Sequence, residues 1–208
     1  MGILAAMVIK MHKILIAVPT FESICPETFK SIWDLYIPKN VQIDFDYVTG
    51  YDCAIARNKI AKKAIKGEYD YVLMVDSDIV LPEKALAYML SDTPDILLAA
   101  YPRKQEPSKS EIFDVRYSQY TSSSRWNISE IKHFPIDRFA IRGGGFGCAL
   151  INVDIFNKMK FPYFYYQIYQ NGNVLSEDLY FCEEARALGY EILTDKRVIC
   201  GHVGKRIV

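Results

Sequence analysis

The stretch from Tyr69 to Asp78 constrains the fold more than any other, because an apolar run of strand length ends abruptly in two carboxylates. Hydrophobic, β-branched and aromatic residues over this length indicate a buried strand of an α/β sheet. Side chains two residues apart on a strand point the same way, so Asp76 and Asp78 are predicted to face one cleft. Ligands of open α/β sheets bind outside the carboxyl ends of strands, where this pair falls.

Two carboxylates this close repel each other, and a cation or strong hydrogen-bond donors must offset the repulsion. A hard divalent metal, bound through one or two carboxylates while it bridges substrate phosphates, meets that need. A polar turn after the strand is the alternative, since Asp and Ser are ordinary turn residues. Taken alone, the stretch leaves a metal site and a simple turn equally open.

The composition is that of a globular protein. Its 208 residues, half of them hydrophobic and 24% charged, predict one domain with a substantial core. Lysine and arginine together number 25, as do aspartate and glutamate, so no basic field favours nucleic acid as a partner. The 5 cysteines are widely spaced and never form a Cys-x-x-Cys pair. They predict free thiols in a reducing, cytoplasmic compartment rather than disulfides or a zinc site.

The first residues are apolar but short. No segment reaches the ~20 apolar residues of a membrane span, and Met1 to Ile9 lacks the basic start and cleavage site of a signal peptide. Met11 could be the natural start, which would make residues 1–10 an upstream extension or a remnant of cloning. We therefore place the expected domain at residues 11–208.

Strand and helix patterns alternate along the chain. Strands are predicted at the run ending in Val75 and at Ile14–Val18, Val41–Val48, Asp95–Tyr101, Cys148–Val153, Tyr190–Leu193 and Val198–Cys200. Helices are predicted at Pro26–Leu35, Asp52–Ile65 with Asp52 as N-cap, Pro82–Leu90, Asp154–Met159 and Ser176–Leu188 with Ser176 as cap. An aromatic-rich segment, Phe161–Tyr169, precedes an Asn-Gly turn. The long polar connection from Glu106 to Asp137 predicts a functional or mobile loop.

Four glycines lie between Gly143 and Gly147, which propensity does not explain. They indicate positive φ angles or a close approach of the backbone to another group. The stretch is not a P-loop, because no Gly-Lys-Ser/Thr follows, and it is a poor dinucleotide fingerprint, because a strand follows it rather than a helix. A tight bulge entering that strand is the alternative.

Three further polar positions allow two interpretations each. Arg57 suits diphosphate or carboxylate, but alone it is more simply read as a solvated helix residue. Glu177 and Asp178 begin a helix, where acidic residues are also favourable with the helix dipole. His202 stands between two glycines, with little packing to justify it, and this favours a ligand role.

The order of these elements resembles the GT-A glycosyltransferases, specifically small members similar to glycosyltransferase family 2, from about Ile14 to Gly204. The shared parts are an opening strand with Pro19-Thr20, an Ala-Arg-Asn helix, an Asp-x-Asp motif, a glycine loop, a Glu-Asp pair and a late histidine. The resemblance implies a single-domain α/β fold with a mixed, mainly parallel sheet flanked by helices.

The resemblance also implies roles for the matching residues. Metal ligands would be Asp76, Asp78 and His202, and Asp178 with Glu177 beside it would supply the catalytic base. The nucleotide and donor sugar would be contacted by Pro19, Thr20, Phe21, Glu22, Arg57, Asp76, Ser77, Asp78, Gly143, Gly144 and Gly145.

The implied reaction transfers a sugar from a nucleotide donor, usually a UDP-sugar, to a hydroxyl of a glycan, glycoprotein or glycolipid. A divalent ion would stabilise the leaving diphosphate, and an imidazole ligand shifts the expectation from Mg²⁺ toward Mn²⁺. A base opposite the leaving group predicts inversion. The chain lacks the C-terminal extension that often carries acceptor contacts, so residues 106–137, a partner or a further domain would hold the acceptor.

Three other readings compete with a glycosyltransferase. A HAD-type phosphatase shares Asp-x-Asp, but its motif lies on an early strand and its late acidic pair at a strand end. A sugar nucleotidyltransferase would carry a Gly-rich, Arg-containing loop where this chain has Pro19-Thr20-Phe21. A non-catalytic sugar-binding module would not need four intact polar positions: Asp76, Asp78, Asp178 and His202.

Overall fold

A computed structural model describes residues 10–102, 112–113 and 137–204. Its strands are β1 His12–Pro19, β2 Val41–Val48, β3 Tyr71–Val75, β4 Ile79–Val80, β5 Ile96–Leu98, β6 Ile112–Phe113, β7 Arg138–Ile141, β8 Gly143–Gly144, β9 Cys148–Asn152, β10 Gln167–Ile168, β11 Val174–Leu175, β12 Ile192–Asp195 and β13 Gly201–His202. Its helices are α1 Pro26–Trp33, α2 Cys53–Lys66, α3 Ala85–Leu90, α4 Asp154–Lys158 and α5 Glu177–Ala187.

One seven-stranded sheet, in the order β2-β1-β3-β9-β5-β12-β7, forms the centre of the described structure. Strands β2, β1, β3, β5 and β12 run in one direction, whereas β9 and β7 are antiparallel to their neighbours. The sheet is therefore mixed and mainly parallel, as predicted. Its parallel strands β1 and β3 end side by side, and this edge carries the polar residues discussed below.

Helices cover both faces of the sheet, because β3 is buried at every position and alternates its side chains between two apolar cores. Val72 and Met74 belong to the core packed by α2, α4 and α5. Leu73 and Val75 belong to the core packed by α1 and α3. This three-layer arrangement confirms the α/β prediction and fixes where β3 ends, directly before the turn that carries Asp76 and Asp78.

Local signals explain where several elements begin and end. Asp52 caps α2 as predicted, because its carboxylate accepts a hydrogen bond from the backbone N–H of Ile55 at 3.1 Å. Gly172, at φ +81°, completes the predicted turn between β10 and β11. Ser176 occupies the N-cap position of α5, but its hydroxyl bonds to Asp178 instead of capping a backbone N–H.

Some predicted elements differ from the structure. The predicted strand Val198–Cys200 is wrong, because only an isolated parallel bridge joins Ile199 to Ala100. The strand predicted at Asp95–Tyr101 is shorter, at Ile96–Leu98. Most of the predicted loop between residues 106 and 137 lies outside the described residues.

All five cysteines are free thiols, as predicted. None of the helices in residues 10–102 and 137–204 has the length and apolarity needed to cross a membrane.

Candidate active site

A cleft of about 390 Å³ opens at the carboxyl ends of β1 and β3. The segments following both strands contribute to it, as the sheet topology requires. The residues that line it are Pro19, Thr20, Phe21, Tyr51, Asp52, Cys53, Asp76, Ser77, Asp78 and Tyr166. Asp76 and Asp78 therefore share one cleft, as predicted from their spacing.

Three distant backbone groups hold the turn Asp76–Asp78 in place. The N–H of Asp76 donates to the carbonyl of Gly147 at 2.8 Å. The N–H of Cys25 donates to the carbonyl of Ser77, also at 2.8 Å. The N–H of Val203 donates to the carbonyl of Asp78 at 2.7 Å. The turn is thus fixed by the glycine stretch, by the start of α1 and by the end of the described chain.

The late histidine reaches the middle of the sequence through a short antiparallel strand pair. Strand β13 pairs with β4, directly after the Asp-x-Asp turn, and sets His202 opposite Ile79. The Nε2 atom of His202 then lies 3.5 Å from Oδ1 of Asp78. Two side chains separated by more than 120 positions in sequence meet at the cleft for this reason.

The other ring nitrogen of His202 indicates what lies between the two side chains. Nδ1 is 2.8 Å from the carbonyl oxygen of Pro102, which can only accept, so Nδ1 carries the proton. In the neutral imidazole, Nε2 then presents a lone pair toward the carboxylate of Asp78, and two acceptors face each other. Either a proton on Nε2 or a bound cation resolves this conflict, and a carbonyl bonded to the distal nitrogen is the usual support of a metal-binding histidine.

Protein groups alone do not complete a metal site here. Among the described residues, no cluster of three or more His, Cys, Asp or Glu side chains is arranged to hold a metal ion. An oxygen and an imidazole nitrogen fit Mn²⁺ or Mg²⁺ when the remaining ligands come from phosphate oxygens and water. The donor set present therefore fits an ion that binds together with a phosphorylated substrate.

The glycine stretch supports this pair indirectly. A Cβ at Gly147 would lie 2.6 Å from the ring of Tyr101, so only glycine lets that ring pack here. The Tyr101 ring lies edge-on to the His202 imidazole, with centroids 5.5 Å apart, and its hydroxyl accepts from the Gly147 N–H at 3.3 Å. Gly147 thereby helps to orient His202.

The interpretation of the remaining glycines changes in the structure. A Cβ at Gly143 would lie 2.9 Å from Cβ of Cys182, so this glycine is required by the packing of α5 on β8. None of the glycines from Gly143 to Gly147 has a positive φ angle, so that part of the prediction is wrong. The close approach is real, but at Gly143 and Gly147 it is to protein. Gly144 and Gly145 are buried, and their contact with a donor stays a prediction.

Arg57 is the centre of a buried ion cluster. It is only 2% exposed, so the view of it as a solvated helix residue is wrong. Its Nη1 donates to Oε1 of Glu177 at 2.5 Å, and its Nη2 donates to Oδ1 of Asp76 at 2.8 Å. The guanidinium is therefore used by two carboxylates and does not belong to the cleft lining.

Burial and shared charge shift the pKa values in this cluster. Burial raises the pKa of Asp76 and of Glu177 above their ordinary values, and Arg57 offsets part of each rise. The negative charge of Asp178 adds to both rises. Burial by itself lowers the pKa of Arg57, but the two carboxylates outweigh it and raise that pKa well above its ordinary value.

Glu177 and Asp178, although adjacent in sequence, lie in different environments. Glu177 is buried and accepts hydrogen bonds from Arg57 and from the Tyr166 hydroxyl. Asp178 is half-buried, and its Oδ1 accepts from the Leu179 N–H at 2.7 Å and from the Ser176 hydroxyl. Its position is therefore fixed through one oxygen.

The structure groups the predicted residues unevenly. Glu22 is exposed and does not line the cleft. The other predicted site residues outside its lining are Arg57, Gly143–Gly145, Glu177, Asp178 and His202. Sequence reasoning did not assign Tyr51, Asp52, Cys53 and Tyr166 to the site. Asp52 was identified only as a helix cap and Tyr166 only as part of an aromatic segment. Neither pattern indicates which cleft the side chain will line.

No family model and no curated protein matches this sequence. Solved structures do match its fold. The chain is similar to A197 from STIV, with a TM-score of 0.62 and 15% identity over 92% of this chain and 85% of that one. It is also similar to GalNAc-T7 with UDP, GalNAc and Mn²⁺, with a TM-score of 0.59 and 10% identity over 92% of this chain and 44% of that one. The chain therefore spans less than half of GalNAc-T7, and at these identities the likeness concerns the fold. The chain has the GT-A fold that its sequence predicted.

Proposed function

We propose that this protein is a metal-dependent glycosyltransferase that moves a sugar from a nucleoside diphosphate donor, a UDP-sugar, to a hydroxyl acceptor with inversion. The observation that carries the proposal is the Asp78–His202 pair, 3.5 Å apart beside a cleft at the ends of β1 and β3. The pair offers an oxygen and a nitrogen ligand to a cation, and the cleft has room for a phosphorylated ligand. GalNAc-T7, which shares the fold, was solved with UDP, GalNAc and Mn²⁺.

The donor would lie along the cleft. Pro19, Thr20 and Phe21 follow β1 and line the cleft wall, where Phe21 is largely exposed and available to a base or ribose. Thr20 is held by its own hydroxyl, which donates to the carbonyl of Ser23 at 2.6 Å. Ser77 and Asp78 line the same cleft and would approach the ribose and the diphosphate.

Asp78 and His202 would hold Mn²⁺ or Mg²⁺. When bound, the ion supplies positive charge that stabilises the departing diphosphate without proton transfer. The role of the protein is to present one carboxylate oxygen and Nε2 of the imidazole in a fixed direction. The Pro102 carbonyl and the Tyr101 ring maintain that direction from behind His202.

Asp178 would be the catalytic base. Its Oδ1 is already occupied by hydrogen bonds, and no partner of its Oδ2 lies among the described residues. Oδ2 would take the proton of the acceptor hydroxyl as that hydroxyl attacks the sugar from the side opposite the diphosphate. Such an attack inverts the anomeric centre. Glu177, bound by Arg57 and Tyr166, would orient the start of α5 rather than receive the proton.

Two features of the structure disfavour the phosphatase alternative. Glu177 and Asp178 begin helix α5, whereas that reading needs a late acidic pair at a strand end. The Asp-x-Asp motif also follows the third strand in sequence rather than an early one.

The proposal is tested by thermal unfolding with UDP, UDP-sugars and other nucleotides, with and without Mn²⁺. A ligand that binds the folded state alone raises the midpoint, by about 2.7 kcal/mol of free energy at a concentration 100 times its Kd. We expect a rise with UDP plus Mn²⁺ and a smaller rise with either alone. Equal shifts with and without the metal, or no shift with any nucleotide, would contradict the proposal.

The base is tested separately with Asp178→Asn. We expect nucleotide binding to persist while transfer falls by about 10²–10⁴-fold, the usual contribution of a general base. Near-normal transfer by this variant, or a product whose NMR spectrum shows retained configuration, would exclude Asp178 as the base of an inverting reaction.

A further inference from the structure

A second groove, of about 630 Å³, lies beside the cleft and is unassigned so far. It runs between helix α2 and the aromatic segment before β10. Its lining includes three substantially exposed side chains, Phe161, Tyr165 and Ile55. Its volume is in the range of sites that bind small molecules, and aromatic walls with few polar groups are typical of such sites.

Two lysines outnumber the one carboxylate, that of Asp52, in the lining of the groove. Lys59 and Lys62 both line it, one helical turn apart on α2. The Lys62 ammonium stands 3.9 Å above the Phe161 ring, and the Lys59 ammonium stands 4.1 Å above the Tyr51 ring. Within the described residues, neither lysine has a carboxylate at salt-bridge distance, in contrast to Lys63, which pairs with Asp46. The groove therefore presents two cations whose only described charge interactions are with rings.

The groove is continuous with the donor cleft. Asp52 and Tyr166 line both cavities. The Tyr166 hydroxyl bonds to Glu177, which is the direct neighbour of Asp178. A molecule in the groove would consequently lie on one side of Tyr166, while the donor lies on the other side, although Asp178 itself is in the lining of neither cavity.

We propose that this groove binds the acceptor, and that the acceptor is a carbohydrate carrying an anionic group, either a carboxylate or a phosphate ester. The proposal rests on the proposed glycosyltransferase function and adds the class of acceptor to it. The exposed rings of Phe161 and Tyr165 offer flat apolar surfaces for the apolar faces of a sugar ring. The two lysines offer charge-assisted hydrogen bonds to the anion.

The ammonium groups of Lys59 and Lys62 favour an anionic acceptor over a neutral one. A neutral glycan would leave the two ammonium groups without an anionic partner, and desolvating them beneath it would oppose binding. An anion placed near both would recover that cost. Lys62 is the better probe of the two, since Lys59 stands over Tyr51, which also lines the donor cleft.

The experiment compares three soluble probes by ligand-observed NMR and calorimetry, in the presence of UDP and Mn²⁺. The probes are trigalacturonate, its carboxyl-reduced neutral counterpart, and mannose 6-phosphate. We expect the charged probes to bind at least about tenfold more tightly than the neutral one, and their affinity to fall with added salt. The comparison of trigalacturonate with mannose 6-phosphate distinguishes a carboxylate from a phosphate.

Matched variants on one helix test the lysine. Lys62→Gln is expected to weaken binding of the charged probes by about tenfold and to leave the neutral probe unchanged. Lys66→Gln, exposed on α2 but outside the groove, should behave as the wild type. Tyr165→Ala should weaken all probes, because it removes a ring surface rather than a charge.

Binding of UDP with Mn²⁺ separates the failure of this inference from failure of the proposed function. The Lys62→Gln variant should keep that binding unchanged. If UDP and Mn²⁺ bind but the wild type shows no preference for charged probes, or if Lys66→Gln is affected as strongly as Lys62→Gln, the acceptor inference is wrong. If UDP and Mn²⁺ do not bind the wild type, the proposed function itself fails.

Discussion

Asp76 and Asp78 are chemically identical, two positions apart and in one cleft, yet the structure gives them different partners. The Asp76 carboxylate accepts from Arg57, a side chain that is almost fully buried and also bonds to Glu177. The Asp78 carboxylate faces the imidazole of His202 beside the cleft. Both carboxylates line the cleft, but Asp76 is paired with a buried cation and Asp78 lies against an imidazole.

The difference arises from the elements that meet each residue rather than from the strand that delivers both. Helix α2 brings Arg57 to Asp76, and β13 brings His202 to Asp78. A pair of carboxylates after a strand can thus serve two purposes, with one compensated by a fixed internal cation and the other placed beside a histidine, where the proposed metal would bind. The repulsion between the two is reduced on the Asp76 side before any metal binds.

The largest effect is expected from removing the internal cation. Arg57→Leu leaves Glu177 buried and Asp76 partly buried without the charge that compensates them. Breaking a buried ion pair from one side costs about 3–5 kcal/mol of the free energy of unfolding, which urea or thermal denaturation would measure. An exposed pair provides the control, since Lys30→Ala, which breaks a surface pair with Asp34, should cost less than about 1 kcal/mol. Similar losses for both variants would show that the cluster is not a structural centre.

Changing each aspartate to asparagine should affect different properties, namely metal-dependent binding for Asp78 and stability for Asp76. Asp78→Asn is expected to lower Mn²⁺-dependent UDP binding and transfer by about a hundredfold or more, with little change in the unfolding midpoint, because it removes a metal ligand at the cleft. Asp76→Asn is expected to lower stability more than Asp78→Asn does, because it weakens the contact with Arg57. Calorimetric titration of UDP with Mn²⁺ and thermal unfolding of both variants measure the two effects. Equal losses of metal-dependent binding in both variants would indicate that Asp76 is a metal ligand as well.

Local patterns were enough to predict most of the sheet and its helices. The apolar run before Asp76 and the cap at Asp52 are signals carried by a few adjacent residues, and the structure confirms both. Asp76 and Asp78 do share one cleft, but the strand period used to predict this does not apply to them, because β3 ends at Val75 and the two residues lie in a turn. The short strand predicted at Val198–Cys200 failed, since an apolar triplet cannot specify whether a partner strand is in reach.

Long-range contacts were the part that the sequence could not supply. Arg57 and Glu177 are 120 positions apart, and no residue adjacent to Arg57 in sequence indicates that a distant carboxylate will bond to it. The same holds for Gly143, whose neighbour Cys182 comes from a helix much later in the chain. The resemblance to glycosyltransferases indicated which residues converge, but it did not indicate that Arg57 would be buried behind the cleft instead of lining it.

The smallest effect, and the sharpest test of the difference between the two aspartates, is a pH dependence. Folding raises the pKa of Glu177 and of Asp76, so the folded protein holds those protons more tightly than the unfolded chain, whose carboxyls titrate near 4. Their contribution to the free energy of unfolding is therefore largest at low pH and is lost as pH rises from about 4 through the folded-state pKa values. Glu177→Gln removes one of these groups, so its free energy of unfolding should fall less steeply than that of the wild type over this window. Ser77→Ala, which removes no titratable group, should keep the wild-type slope in urea denaturation series at successive pH values. Identical slopes for Glu177→Gln and the wild type would mean that Arg57 fully compensates Glu177, and the cluster would then differ from the Asp78–His202 pair in burial alone.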